Sequence, residues 1–213
     1  MRNPFRKIAI VSGVMTAATT MAIAPAMASP THWTVGPNSK VSFSALSLST
    51  VMEVNGIPVT CPTATLSGEM FGAEGNPAHL GDISVAAFGS ESEPCTSPFG
   101  PVGLTAGTSP AWRLTATGYD AATGSTTGYI TGIHATLTAF TCTFEVTGEV
   151  NAAYTNSTGV LTISNSTRQL TVVGASAECA GITKDGDHPT FNGDYSVVTP
   201  SGGTAHPTVV GTE

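Results

Sequence analysis

The polar residues that could do chemistry are few and scattered along the chain. His134 lies between two apolar residues, Ile133 and Ala135, so a β-strand would place it on the polar face. A catalytic histidine needs an acidic or nucleophilic partner, and the sequence shows none beside His134. We therefore interpret His134 as an exposed strand residue.

The densest polar segment is Asp185-Gly186-Asp187-His188. Two carboxylates separated by a glycine could offer oxygen ligands to calcium. The other ligands of a calcium-binding loop do not follow downstream, which favours an acidic turn. No Cys-x-x-Cys pair or Cys/His cluster indicates zinc. The sequence therefore predicts no metal and no cofactor.

Glu69 and Glu149 each follow a glycine and could form the carboxylate pair of a glycoside hydrolase. Glutamates on the solvent face of a strand explain both residues more simply. The chain also lacks Gly-x-Ser-x-Gly, His-Glu-x-x-His and phosphate-loop motifs. The sequence therefore predicts no catalytic residues, and a secreted hydrolase without a local motif is kept as an alternative.

The first 28 residues are organised like a secretory signal peptide. A basic start, Arg2 to Lys7, precedes an apolar stretch, Ile8 to Ala24, and then the A-x-A cleavage pattern Ala26-Met27-Ala28. A retained membrane anchor is disfavoured, because the apolar stretch is short and interrupted for a spanning helix. We predict cleavage after Ala28, secretion to the extracellular space and no integral membrane segment in the mature chain.

Cleavage would leave a strongly acidic protein. Four basic residues remain against fourteen acidic ones, a formal charge of −10. Nucleic acids and anionic membranes attract clustered lysine and arginine, so neither is a predicted partner. Charged residues make up only 10% of the sequence, which requires hydroxyl, amide and glycine residues to keep the surface hydrated.

Apolar and polar residues alternate along most of the chain after residue 28. From Ile133 to Ala139 the odd positions are apolar, and from Phe140 to Val146 the even positions are apolar. This period of two is typical of a strand with one buried face. Phe140 is accordingly predicted to lie on the buried face with Cys142.

About ten to thirteen such short runs are separated by turn residues, for example at Asn55-Gly56. A change of phase after Ala45, to Leu46 and Leu48, predicts a bulge. The chain is thus predicted to be all-β: a single antiparallel sandwich or barrel over residues 29–198. The last residues, 199–213, are predicted to be a flexible tail.

All four cysteines lie after the predicted cleavage site. They are Cys61, Cys95, Cys142 and Cys179. An even number in an exported chain predicts two disulfides, and four cysteines allow three pairings.

A weak internal repeat favours one of these pairings. Thr60-Cys61 precedes Ser67-Gly68-Glu69, and Thr141-Cys142 precedes Thr147-Gly148-Glu149. Each half continues into an apolar run and a second cysteine, 34 or 37 residues after the first. The repeat favours Cys61–Cys95 and Cys142–Cys179 in two pseudo-repeated halves. Coincidence in a sequence of low diversity is the alternative.

A series of short landmarks follows the same order as the cysteines over residues 33–198. Besides the cysteines, they are Ala111-Trp112-Arg113-Leu114, Gly128-Tyr129-Ile130-Thr131-Gly132-Ile133-His134-Ala135, Ala153-Tyr154-Thr155-Asn156, Gly159-Val160-Leu161, Cys179-Ala180-Gly181 and Gly193-Asp194-Tyr195. In this order they resemble an uncharacterised family of small secreted, β-rich, four-cysteine proteins from actinobacteria. The resemblance implies an exported, disulfide-bonded β-protein and carries over no catalytic residues.

Three functions are consistent with the sequence. The first is a secreted non-catalytic module, structural or interacting, with a protein or cell-surface partner or with itself. The second is an extracellular carrier of a small apolar ligand or lipid, and the third is the hydrolase. A closed apolar cavity of about 300 Å³ or more would favour the carrier. Aromatic residues would fill a core or line such a cavity; they are Trp112, Tyr129, Phe140, Phe144 and Tyr154.

Overall fold

The computed structural model describes residues 29–200 and 205–213, so the predicted signal peptide lies outside the described residues. These residues form sixteen strands and one 3₁₀ turn, Ala177–Cys179. The strands are β1 (His32–Gly36), β2 (Lys40–Ser47), β3 (Thr50–Val54), β4 (Ile57–Cys61), β5 (Ala64–Phe71), β6 (Ala73–Glu74), β7 (Ala78–Phe88), β8 (Cys95–Ser97), β9 (Gly100–Ala106), β10 (Trp112–Asp120), β11 (Ser125–Ala139), β12 (Cys142–Thr155), β13 (Val160–Ser164), β14 (Leu170–Val173), β15 (Thr190–Val198) and β16 (Thr208–Thr212).

Eight strands pair in a closed antiparallel ring. In order they are β2, β5, β7, β10, β11, β12, β13 and β15, and β15 pairs again with β2. Because the ladder returns to its first strand, backbone hydrogen bonds join both edges of the sandwich, as in a barrel. The prediction of an antiparallel all-β fold is confirmed.

Five further strands extend the ring at one end. β3 pairs with β15 and β4, β8 links β4 to β9, and β9 pairs with β11. β14 adds to β12. The long strands β11 and β12 run through both parts and meet in a two-residue hairpin loop, Phe140–Thr141, at the extended end.

The opposite end is covered by a small sheet of β16, β1 and β6. Val209 of β16 is only 4% exposed. The Asn156 amide donates to the Val209 carbonyl, and the Val209 N–H donates to Asn156 Oδ1, both at 2.8 Å. The prediction of a flexible tail is therefore wrong for Thr208–Thr212, because this strand pairs with β1 and supplies a core side chain. Residues 201–204 lie outside the described residues.

Inward-facing residues form one hydrophobic core that reaches from Trp33 in β1 to Val209 in β16. The bulge predicted after Ala45 is wrong. β2 keeps its phase to its last residue, and Leu46 and Leu48 are 45% and 75% exposed. The phase changes two residues later, between β2 and β3, where the alternation resumes with a buried Thr50.

Both predicted disulfides are confirmed: Cys61–Cys95 and Cys142–Cys179. Disulfides are typical of an extracellular or otherwise oxidising environment. Cys61 ends β4, just before β5, and Cys95 begins β8, which follows β7, the antiparallel neighbour of β5. In the same way Cys142 begins β12, and Cys179 follows β14, an antiparallel neighbour of β12. β5 and β12 lie four places apart in the ring of eight strands. The two disulfide-bonded halves of the repeat therefore share one hydrophobic core.

The secondary structure of the described chain is almost entirely strand. Within residues 29–200 and 205–213, no helix is long and apolar enough to cross a membrane.

Candidate functional site

Three histidines pair with carboxylates, all at the surface. His134 Nε2 lies 3.1 Å from Glu145 Oε2 across the β11–β12 ladder, which provides the partner that the sequence did not show. A nucleophilic triad also needs a hydroxyl or thiol on the histidine. In the described part of the chain, no histidine is hydrogen-bonded to both a carboxylate and a hydroxyl. The other two pairs are His32–Glu74 and His79–Asp82.

Glu69 and Glu149 do not form a catalytic pair. Their strands lie on opposite sides of the ring, and both side chains are partly exposed in ion pairs, Glu69 with Lys40 at 2.7 Å and Glu149 with Arg168. Opposed walls of a sandwich are about 10 Å apart, and two outward side chains are farther apart still. Glycoside hydrolases hold their two carboxyls within about 10 Å.

The acidic turn at residues 185–187 is bonded to the protein itself. Asp187 Oδ2 accepts hydrogen bonds from Asn55 Nδ2 at 2.6 Å, Thr183 Oγ1 at 3.0 Å and the Lys184 N–H at 2.9 Å. The Asn55 amide is the main cause that lowers the pKa of the Asp187 carboxyl, followed by the Lys184 N–H. The carboxylate therefore anchors this turn to the β3–β4 hairpin.

The same turn covers the free edge of β14. The Gly186 N–H donates to the Val172 carbonyl at 2.9 Å, and the Val172 N–H donates to the Asp187 carbonyl at 2.8 Å. Among the residues that the structure describes, no three His, Cys, Asp or Glu side chains are grouped to hold a metal. The geometry assigns this turn to edge protection, since an uncovered strand edge offers a template for pairing with another chain.

The interior of the ring is filled. Within the described residues, two cavities in the ring are about 50 and 30 Å³ and one at the extended end is about 40 Å³, all far below the roughly 300–1,000 Å³ of small-ligand sites. Trp112, Phe144 and Tyr154 are core residues, each at most 5% exposed. Two larger hollows, of about 620 and 450 Å³, are open grooves on the outer surface.

Exposed aromatic side chains are concentrated at the extended end of the ring. Phe140 is 71% exposed and Phe99 is 58% exposed. Each lies in a two-residue hairpin loop, Phe140 between β11 and β12 and Phe99 between β8 and β9. Together with Ile57 and Ile182 they surround one small cavity at this end of the core. We name these four residues the aromatic end.

The position of the Phe140 ring depends on a glycine. A Cβ atom at position 100 would lie 3.0 Å from Cζ of Phe140, closer than side chains normally approach. Gly100 also has φ +130°, which side chains rarely adopt. Gly100 therefore allows the two hairpin loops to meet and the Phe140 ring to rest on β9.

Phe140 has an unfavourable backbone conformation for a large residue. Its φ is +54°, and a left-handed backbone costs a non-glycine residue about 1–2 kcal/mol. Glycine or asparagine is the usual residue at such hairpin positions. A bulky aromatic residue that is both strained and exposed points to a role outside folding, because neither feature stabilises the protein.

Sequence reasoning placed Phe140 on a buried face, and that prediction is wrong. Cys142, Phe144 and Val146 are buried as predicted, but Phe140 belongs to the loop before them. A sequence feature could have identified this loop. Apolar positions change from odd to even between Ala139 and Phe140, as a two-residue hairpin requires when Ala139 pairs with Cys142.

Tyr129 was predicted to fill the core or to line a cavity. It is instead partly exposed on the side wall of the ring. The guanidinium of Arg168 stacks over its ring, 3.8 Å from the centroid. Arg168 also pairs with Glu149 on the neighbouring strand. The guanidinium covers one face of the tyrosine ring, so among the residues that the structure describes Phe99 and Phe140 are the largely exposed aromatic side chains.

No protein family, curated protein or solved structure matches the chain. Its class therefore follows from the fold and the site alone. It is an all-β, disulfide-bonded protein with a closed strand ring, a filled core and exposed aromatic residues at one end.

Proposed function

We propose that the chain is a secreted, non-catalytic interaction module that binds a partner through the aromatic end. The observation that carries this proposal is Phe140, a strained and largely exposed aromatic residue beside a second exposed aromatic residue, Phe99. Aromatic side chains are enriched at the centres of protein interfaces, where their burial contributes much of the binding energy.

Three features support secretion. The signal peptide at residues 1–28 and the resemblance to secreted actinobacterial proteins both predict export, and the two disulfides suit an oxidising environment. Cleavage after Ala28 predicts that the secreted protein begins at Ser29. Mass spectrometry of the protein from culture fluid measures that terminus directly.

The filled core favours the interaction module over the carrier of apolar ligands. An internal site would require the ring to open, because its cavities reach only about 50 Å³. Opening a closed ladder breaks several backbone hydrogen bonds at once. The hydrolase is less favoured because His32, His79 and His134 pair with carboxylates at the surface. None of the five histidines in the described residues is hydrogen-bonded to both a carboxylate and a hydroxyl.

Site-specific photo-crosslinking tests the proposal. A benzophenone amino acid replaces Phe140 in the secreted full-length chain, and the matched control replaces Val85, which is 53% exposed on β7. Irradiation in the native culture is expected to give discrete adducts at position 140 that are absent at position 85. Excess wild-type protein is expected to suppress these adducts, and excess Phe99→Ser/Phe140→Asn protein is not.

Two outcomes would contradict the proposal. One is a set of adducts that is the same at positions 140 and 85, which would indicate collisions with an ordinary surface. The other is adduct formation that the Phe99→Ser/Phe140→Asn protein suppresses as well as the wild type does, which would show that the aromatic rings make no contribution.

A further inference from the structure

The charges around the aromatic end identify the chemistry of its partner. We propose that the aromatic end binds a short basic segment of another polypeptide, one that presents an apolar side chain flanked by lysine or arginine. This inference rests on the proposed function and specifies its partner. Its two components are the exposed aromatic area and the carboxylates beside it.

The exposed apolar area fits a short segment. A phenylalanine buries about 200 Å² when fully covered, so the exposed parts of Phe99 and Phe140 offer roughly 250 Å². Stable protein pairs bury about 800 Å² on each partner. A few residues of a peptide would cover the aromatic end, whereas a second folded domain would need additional surface.

Four acidic residues lie on the chain segments that border this apolar area. Glu53, Glu178, Asp185 and Asp187 are exposed or partly exposed there, and Lys184 is the single base among them, giving a formal charge of −3. We name the four acidic residues the acidic rim. A cationic partner would gain from this charge, and an anionic partner would be repelled.

The fold places each residue of the acidic rim beside the aromatic end. Glu178 precedes Cys179, whose disulfide partner Cys142 lies two residues after Phe140. Glu53 lies on the outer face of the β3–β4 hairpin that carries Ile57, where it pairs with Pro58.

The aspartates of the acidic rim lie in the loop that carries Ile182. Asn55 holds this loop by donating to the Ile182 carbonyl at 3.0 Å and to Asp187. Asp185 Oδ1 accepts from the Ala175 N–H at 2.8 Å, which fixes its position. These contacts hold the loop, and with it both aspartates, in place next to the β3–β4 hairpin.

Charge argues against two other occupants. A second copy of the chain would bring its own acidic rim against the first, and like charges that meet across an interface oppose binding. An anionic membrane would meet the same repulsion, since it attracts clustered bases.

Binding of defined peptides to the secreted full-length chain tests the inference. The probe is a seven-residue peptide with a central leucine between two pairs of lysines. Its controls replace the lysines by glutamates or the leucine by serine. By NMR titration, the lysine–leucine peptide is expected to bind at least about tenfold more tightly than either control and to weaken as salt rises.

Variants of the protein assign the binding to the two components. Phe140→Asn keeps a residue that tolerates a positive φ, and it is expected to weaken binding about tenfold, as is Phe99→Ser. Glu53→Gln/Glu178→Gln is expected to weaken binding of the lysine peptide and to reduce its salt dependence. The matched controls, Val85→Ser and Glu69→Gln, lie on other strands and are expected to bind like the wild type.

The outcomes separate this inference from the proposed function. Tighter binding of the glutamate peptide, or Phe140-dependent binding of neutral or anionic lipid vesicles, overturns the basic-segment inference and leaves the interaction module standing. Equal binding of all three peptides also overturns the inference. The interaction module itself is contradicted only by the crosslinking outcomes at position 140, whatever the peptides show.

Discussion

Phe140 and Phe144 lie four residues apart, and their environments are opposite. Phe144 is 4% exposed in the core, and Phe140 is 71% exposed in a strained loop. The left-handed backbone costs Phe140 about 1 kcal/mol, and burial of less than a third of its ring returns about the same amount. Phe140 should therefore contribute almost nothing to the stability of the fold.

Substitution of the two phenylalanines tests this contrast. Phe140→Asn is expected to change the free energy of unfolding by less than about 1 kcal/mol, because relief of backbone strain offsets the lost contacts. Phe144→Ala is expected to lower it by about 3–5 kcal/mol, because it leaves a cavity in the core. Urea denaturation of both variants measures the difference. A large loss in Phe140→Asn would assign Phe140 to folding.

Two buried tyrosines, Tyr154 and Tyr195, differ in whether the hydroxyl group is hydrogen-bonded. The Tyr154 hydroxyl donates to the Pro207 carbonyl at 2.6 Å, and burial raises its pKa to about 12. The Tyr195 hydroxyl has no hydrogen-bond partner within residues 29–200 and 205–213, and burial raises its pKa further. A buried hydroxyl stabilises a protein only when it is hydrogen-bonded.

Replacing each tyrosine by phenylalanine should therefore change the free energy of unfolding differently. Tyr154→Phe is expected to lower the free energy of unfolding by about 1–2 kcal/mol, because it leaves the Pro207 carbonyl without its donor. Tyr195→Phe is expected to leave stability unchanged or to raise it by up to about 1 kcal/mol. Thermal unfolding of the two variants below pH 9 makes the comparison. A loss of stability in Tyr195→Phe would contradict the expectation.

At the scale of the elements, the outer edge of β14 is covered by a loop, residues 185–187, which hydrogen-bonds to Val172. Asp187 anchors that loop, and its pKa is lowered by the hydrogen bonds from Asn55 and the Lys184 N–H. A lowered pKa in the folded protein means that the anchor is fully present above the ordinary pKa of aspartate. The anchor is lost as the pH falls through the lowered value.

Asp187→Ala is expected to release the loop at neutral pH. Amide exchange at Val172 and Gly186 should become at least about tenfold faster, because the Val172 N–H donates to the Asp187 carbonyl and the Gly186 N–H to the Val172 carbonyl, and both bonds depend on the position of the loop. The wild type should show the same increase only at acidic pH. Asp194→Ala, which removes a carboxylate bonded to Thr162 at 2.6 Å, is the control and should leave both amides protected. Unchanged exchange in Asp187→Ala would show that the backbone holds the loop unaided.

At the scale of the whole molecule, ring closure and two disulfides act on the same core. Each disulfide closes a loop of 34 or 37 residues. Chain-entropy estimates for such loops are about 3–4 kcal/mol of stability each. The two bonds close separate, non-overlapping segments of the chain, residues 61–95 and 142–179, so their loop-closure effects should be nearly independent.

Paired alanine substitutions test this independence. Cys61→Ala/Cys95→Ala and Cys142→Ala/Cys179→Ala should each lower the free energy of unfolding by about 3 kcal/mol. The quadruple variant should lose about the sum, as measured by urea denaturation of the secreted protein. A loss in the quadruple variant far from the sum would indicate that the two halves of the ring are energetically coupled.

Local rules of side-chain placement predicted much of the fold. Alternation at Leu137 and Val146 identified strand faces, because successive strand residues point to opposite sides. Spacing and the internal repeat predicted both disulfides. The predictions failed where a residue's environment depends on residues far away in the sequence. Val209 is an example, because it is buried only where its strand pairs with β1 and hydrogen-bonds to Asn156.

The sequence by itself determined that this is a β-rich chain with a signal peptide pattern and four cysteines, because these are properties of composition and short-range order. Tertiary structure alone decided that the strand ladder closes and that the interior is filled, since closure depends on pairings between strands far apart in the chain. It also decided that Phe99 and Phe140 meet at one end, because two separate hairpins must converge on Gly100. The candidate site is therefore a property of the fold, and no local motif in the sequence carries it.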